Sequence, residues 1–307
     1  MSKIFNADEL RVMATVPVGN RPTGVAVDVH GRVFVTNSGS NSLSVIDPSP
    51  GATTATVNVG FFPESVATDP QFGTFVANSG DRTVSVLNRL NAVVSTLRVG
   101  GVPGLPPNMA RVAVDHIFSR AYVTNRSGDR VAIVRTSTVP PVVMPVPIDI
   151  PRPLGVAVDA VDHRLYVTQP DLGTVSAIDH GTLQKVATFP VRERPTGIAV
   201  DSPRRRLYVA DSGFTTVSVI DLTTGAVTDV DVGAHPVAVA VDPRGNAYVS
   251  HSSGSVKVID AGSGTVTATI PVGAKPEGVA FEPHTRRVYV ANSGDGTLSV
   301  LDLSGGH

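Results

Sequence analysis

The sequence predicts an all-β fold, a seven-bladed β-propeller of four-stranded antiparallel blades held in a single domain over residues 1–307. Three observations predict it. Apolar and polar residues alternate in short runs rich in Val, Thr and Gly, and no segment sustains the 3.6-residue period of a helix. A strand-like segment closing on an acidic residue recurs at Asp28, Asp69, Asp115, Asp159, Asp201, Asp242 and Glu282, a period of roughly 40 residues, which is the length of a propeller blade. The last copy ends after its third strand, and the missing fourth strand has a counterpart at the N-terminus, ATVPVG from Ala14 to Gly19.

In chain order, the first strands read PTGVAVD, PESVATD, ARVAVD, PLGVAVD, PTGIAVD, PVAVAVD and PEGVAFE. Second strands follow as RVFVTN, GTFVAN, RAYVTN, RLYVTQ, RLYVAD, NAYVSH and RVYVAN, and third strands as SLSVID, TVSVLN, RVAIVR, TVSAID, TVSVID, SVKVID and TLSVLD. The blades therefore span approximately 22–60, 63–100, 107–148, 153–191, 195–232, 236–272 and 276–303, the last completed by a strand at about 12–18. Pairing that strand onto the last blade closes the ring and protects its sheet edges. The acidic residue ending each first strand precedes a turn such as DPRGN, where a short carboxylate accepts backbone N–H groups, so these acids are expected to be structural.

Composition narrows the chemistry. A formal net charge of −1 gives no global pull toward nucleic acid or anionic membrane, and the absence of Cys excludes disulfides, thiolate metal sites and a cysteine nucleophile. The N-terminal MSKIFNADELRVMATV lacks the apolar core of a signal peptide, and no apolar run approaches the length of a membrane helix, so a cytoplasmic protein is expected. No phosphate-binding loop, nucleophile elbow, EF-hand or HExxH motif is present. The basic cluster Arg204, Arg205 and Arg206, with Arg286 and Arg287, has no interleaved aromatic residues and reads as a solvated face.

The tetrapeptide Tyr122-Val123-Thr124-Asn125, with its relatives around Tyr166, Tyr208 and Tyr289, resembles the YVTN family of seven-bladed β-propellers over essentially the whole chain. That resemblance implies the fold strongly and an activity weakly, since such propellers include surface-layer and secreted proteins, nucleic-acid or metabolite binders, and cytoplasmic proteins encoded beside biosynthetic enzymes.

Strand alternation places the entry loops and the second-to-third turns on one face, around the mouth of the central channel, where seven blades converge. The residues at the entry position are Arg21, Phe62, Asn108, Arg152, Arg194, His235 and Lys275, with Arg111 adding a cation in the third blade. This concentration of positive charge in a near-neutral chain predicts a site for a small anion, because guanidinium forks match carboxylate and phosphate. The bland alternative is that these cations cover blade edges or pair with Glu64, Glu193 and Glu277. The second strands usually end in Asn, at Asn37, Asn78, Asn125 and Asn292, but Gln169, Asp211 and His251 depart from it. His251 and His235, supported by Asp211 and Glu277, are the expected proton-transfer groups, and Arg21, Phe62, Asn108, Arg111, Arg152, Gln169, Arg194 and Lys275 the expected ligand contacts. The long third entry loop, Gly100 to Arg111, offers Leu105 and Met109 beside Phe61 and Phe62 as an apolar wall.

The expected function is cofactor-independent acid–base chemistry on a small anionic metabolite, of lyase, cyclase, isomerase or hydrolase type, with no metal. The alternative is a non-catalytic scaffold or sensor for a ligand or a protein partner. Neither nucleic acid nor membrane is an expected partner, and a closed ring is expected to be a monomer.

Overall fold

The computed structural model describes residues 11–47, 52–100, 111–233 and 235–303. Seven antiparallel sheets form a ring, and the first strand of each lines a central channel. Among the described residues, helix is confined to a 3-10 turn at Arg126–Gly128.

The closing strand is Arg11–Pro17, which pairs with Thr297–Asp302 from Arg11 opposite Asp302 to Pro17 opposite Thr297. Val16 thereby enters the core between the last and first blades with Val33, Val35, Tyr289 and Leu298. Blade three departs from the repeat. Its fourth strand is broken into Val142–Val143 and Ile148–Asp149, both paired with Arg130–Arg135, because Pro140, Pro141, Pro145 and Pro147 remove ladder donors.

Second and third strands are almost wholly buried, sandwiched between neighbouring blades, and Tyr122, Tyr208, Tyr248, Tyr289, Phe34 and Phe75 are the largest fully buried side chains. The acids ending the first strands cap their turns as expected. Asp28 Oδ1 accepts the N–H groups of His30 and Arg32, Asp115 those of Ile117 and Phe118, and Asp159 those of Val161 and Asp162.

The threonine of the YVTN-like segments has a specific job. Thr124 Oγ1 accepts the Arg111 N–H and donates to the Leu154 carbonyl of the next blade. Thr168 does the same between Gly155 and Thr196, and Ser250 between Ala238 and Glu277. Where the second strand has Ala instead, a hydroxyl on the first strand can take over, as Thr196 does by donating to the Ala210 and Val237 carbonyls. These bonds stitch adjacent blades around the channel.

His180, on the turn after the third strand of blade four, is fully buried, with Nδ1 2.5 Å from Asp115 Oδ2. It joins blades three and four. His30, His116, His163 and His284 are exposed.

Candidate functional site

The waist of the channel is built from one repeat position, four residues before the closing acid: Gly24, Ser65, Arg111, Gly155, Gly197, Ala238 and Gly278. Neighbouring first strands approach so closely that a Cβ on Gly155 would sit 2.1 Å from the Thr196 carbonyl oxygen, and one on Gly278 2.3 Å from that of Thr23. At those two glycines a Cβ is not accommodated without a backbone shift. Arg111 breaks the series while keeping the same backbone bond, its N–H donating to Thr124 Oγ1 at 2.8 Å as Gly155 donates to Thr168 at 2.7 Å. The strand path is unchanged and a guanidinium is added to the channel wall.

The channel cavity is about 170 Å³ and is lined by all seven blades. Its charged lining residues are Glu64, Arg111 and Glu277. Arg111 Nη1 donates to Glu64 Oε2 at 3.2 Å, with both side chains only partly exposed. Burial pushes the Glu277 carboxyl above the usual carboxylate range, and the Glu64 charge pushes it further, while Arg111, Arg21 and Lys275 pull the other way. Glu277, Glu64 and Arg111 come from blades seven, two and three, so the charged groups occupy one arc. Val156, Ile198, Val237 and Val239 make the facing arc largely apolar.

The rim carries the entry-position residues. Arg21, Phe62, Arg152, Arg194, His235 and Lys275 are exposed and all left-handed, with φ between 49° and 55°. The conformation turns their carbonyls onto the next turn, where Ser38, Ser79, Ser212, Ser252 and Ser293 donate N–H groups to Arg21, Phe62, Arg194, His235 and Lys275. Side chains other than Gly cost roughly 1 kcal/mol each in this region, so the fold favours glycine and the chain supplies mostly cations. The stems of Arg21 and Arg194 and the ring of Phe62 pass over Gly39, Gly213 and Gly80, where a Cβ would lie 3.3, 3.3 and 2.7 Å from them.

Individual rim residues differ. Arg152 Nε is held by Asp171 Oδ2 at 2.7 Å, and Arg126 meets the other oxygen of the same carboxylate at 2.5 Å. The hydrogen bond from Arg152 is the main reason that the Asp171 carboxyl lies below its usual range. His235 places Nδ1 3.2 Å from the Ser212 carbonyl oxygen. Phe61 and Phe62 are 60% and 50% exposed. Asn108, Leu105 and Met109 lie outside the described residues.

Gln169, Asp211 and His251 do not join the cavity lining. They are buried within their own blades. Asn37, Asn78 and Asn292 each donate from Nδ2 to hydroxyls five and seven residues onward, in Asn37 those of Ser42 and Ser44. Gln169 Oε1 accepts from Thr174 and Ser176, and Asp211 Oδ2 from Thr216 and Ser218, at the same offsets. Burial raises the Asp211 carboxyl to about 6. His251 is 2% exposed, its Nδ1 is 3.1 Å from Ser253 Oγ, and burial lowers its pKa. The structure thus gathers Glu277, Arg111 and Glu64, brings the charges of Arg21 and Lys275 to bear on Glu277, and sets Asp211 and His251 apart. Glu64, which the sequence offered only as an ion-pair partner for rim arginines, pairs with the waist arginine instead.

These features define a seven-bladed propeller with a narrow, charged channel. In sequence, the chain matches the model of the choice-of-anchor I domain, a β-propeller-type domain, over residues 155–306; the YVTN resemblance rests on the motif itself. No curated protein sequence matches the chain. In structure it is similar to a streptogramin B lyase, at 16% identity and a TM-score of 0.81, covering 96% of this chain and 98% of that one. It is also similar to virginiamycin B lyase from Staphylococcus aureus, at 14% identity and a TM-score of 0.81 over 96% and 100% of the two chains. Kuenenia stuttgartiensis hydrazine synthase gives 17% identity and a TM-score of 0.79 over 92% and 96%. At these identities the likeness establishes the fold. No helix among the described residues is long and apolar enough to cross a membrane.

Proposed function

We propose that the protein binds a small anionic metabolite at the mouth of the central channel and catalyses a cofactor-independent proton transfer on it. The observation that carries this reading is Arg111, a guanidinium on a waist where the other six blades place Gly, Ala or Ser. In the free protein Arg111 is held by Glu64. An incoming carboxylate competes for the guanidinium, which offers further donors for a forked bond.

Glu277 supplies the proton-transfer group. Burial makes this carboxylate a stronger base than an exposed one, and it lines the same small cavity as the arginine. If Arg111 holds a substrate carboxylate, removal of the proton on the adjacent carbon sends electron density into that carboxylate, where the guanidinium stabilises it. Elimination and isomerisation both begin with this step. Lyases on the same fold are precedents for an enzyme on such a scaffold. Binding without turnover is the second reading, favoured by the lack of another titratable proton-transfer group besides Glu64 among the described cavity-lining residues.

Calorimetric titration with small carboxylates tests the binding. Arg111→Gln, with its fold checked by circular dichroism, is expected to weaken binding by about thirtyfold, the equivalent of roughly 2 kcal/mol for a charged hydrogen-bonded contact. Unchanged affinity would remove the site. For a substrate found by such screening, Glu277→Gln is expected to bind it and not turn it over. Full turnover by that variant would leave only the binding reading.

A further inference from the structure

Arg111 and the rim cations lie at different levels of the same channel. Arg111 belongs to the waist, inside the ring of small residues, whereas Arg21 and Lys275 sit at the exposed ends of the entry loops in blades one and seven. Arg21 and Lys275 stand two residues before the cavity-lining Thr23 and Glu277 on neighbouring first strands, and their charges, like that of Arg111, favour the ionised Glu277 carboxyl. Among the described residues, neither Arg21 nor Lys275 makes an ion pair, in contrast to Arg152 and Arg111. Their left-handed backbone would be relaxed by glycine, and a long cation is present in each instead. Valines such as Val25 and Val279 line the cavity.

We propose that the ligand carries two anionic groups, one held at the waist by Arg111 and the other at the rim by Arg21 and Lys275, with a short neutral segment between them beside Glu277. This rests on the channel being the binding site. A linear molecule with a carboxylate at each end has this chemistry, and its length is set by the depth between waist and rim. A single carboxylate satisfies Arg111 and leaves the rim pair empty, so the second charge is what distinguishes the preferred ligand from a simple acid. Electrostatic attraction at the rim is open to solvent and therefore sensitive to salt, whereas the waist contact is shielded.

The test is a calorimetric series of α,ω-dicarboxylates of increasing chain length, each compared with the monocarboxylate of equal carbon number, using the full-length protein. The expected result is a length optimum at which the dicarboxylate binds at least about tenfold more tightly than its monocarboxylate partner, with that advantage shrinking as salt is raised. In the Arg21→Gln, Lys275→Gln double variant the ratio is expected to fall to near one. Monocarboxylates that bind as tightly as dicarboxylates at every length would overturn the two-charge proposal and leave the channel site standing, as would a double variant that keeps the tenfold ratio. Failure of the wild-type protein to bind either series would overturn the channel reading itself, and this proposal with it.

Discussion

Asp211 shows how a departure from a repeat can be structural. Its siblings Asn37, Asn78 and Asn292 lock the second-to-third turn by donating to two hydroxyls, and Asp211 uses the same hydroxyls with donor and acceptor exchanged. The signal was present in the sequence as the serine seven residues on, at Ser44, Ser85, Ser176, Ser218 and Ser299, but only the structure shows that it faces the polar residue. His251 and Asn125 are the exceptions, because Lys257 and Ala132 stand where the third strand otherwise has serine. Asp211 also carries a pH prediction. Its folded value of about 6 lies above the ordinary 3.8, so its contribution to stability is full below about pH 4 and is lost as pH rises through about 6. Asp211→Asn should raise the thermal midpoint at pH 8, by the equivalent of about 1–3 kcal/mol, and change little at pH 4. Thermal unfolding of both proteins across that range checks it; equal midpoints at pH 8 would show that the buried carboxyl costs nothing.

At the level of the strand, the pattern of alternation revealed which segments pair, and it failed where the first strands bulge. The register shifts between Pro22 and Val25, Pro63 and Ser65, and Pro195 and Ile198 interrupt the inward and outward alternation just where the channel is lined. Alignment to the closing acid puts Arg111 at the glycine position, but counting along the strand could not say that this position, or Glu64 and Glu277, faces the cavity. The closing strand was legible because its absence from one end and presence at the other is a matter of tally rather than orientation. Its register with Thr297–Asp302 makes it the fourth strand of the last blade, and Val16 is 3% exposed in the seam with blade one. Deleting residues 1–19 should abolish the single cooperative unfolding transition or produce aggregates, since it opens a sheet edge and empties that seam. A deletion variant with an unchanged thermal midpoint would refute closure by this strand.

Across the whole molecule, a formal charge of −1 conceals a strongly organised channel. Blades seven, one, two and three contribute Glu277, Thr23, Glu64 and Arg111, and blades four to six present mainly glycine, valine, isoleucine and alanine at the same level. The ring makes this asymmetry possible, because seven copies of one backbone give seven equivalent positions and a single substitution in one copy reaches the shared axis. It also explains why the rim dominated the sequence reading. Entry-loop cations are visible as a repeated position, whereas the waist is marked by one arginine in one blade. The most direct measurement of the central claim is the NMR signal of the arginine Nε–H groups during titration with a small carboxylate. The expected result is a saturable shift of the Arg111 resonance, assigned by its loss in Arg111→Gln, while Arg126 and Arg205, held by Asp171 and Asp162, stay in place. An Arg111 signal that does not move, or a uniform drift of the exposed arginines, would contradict it.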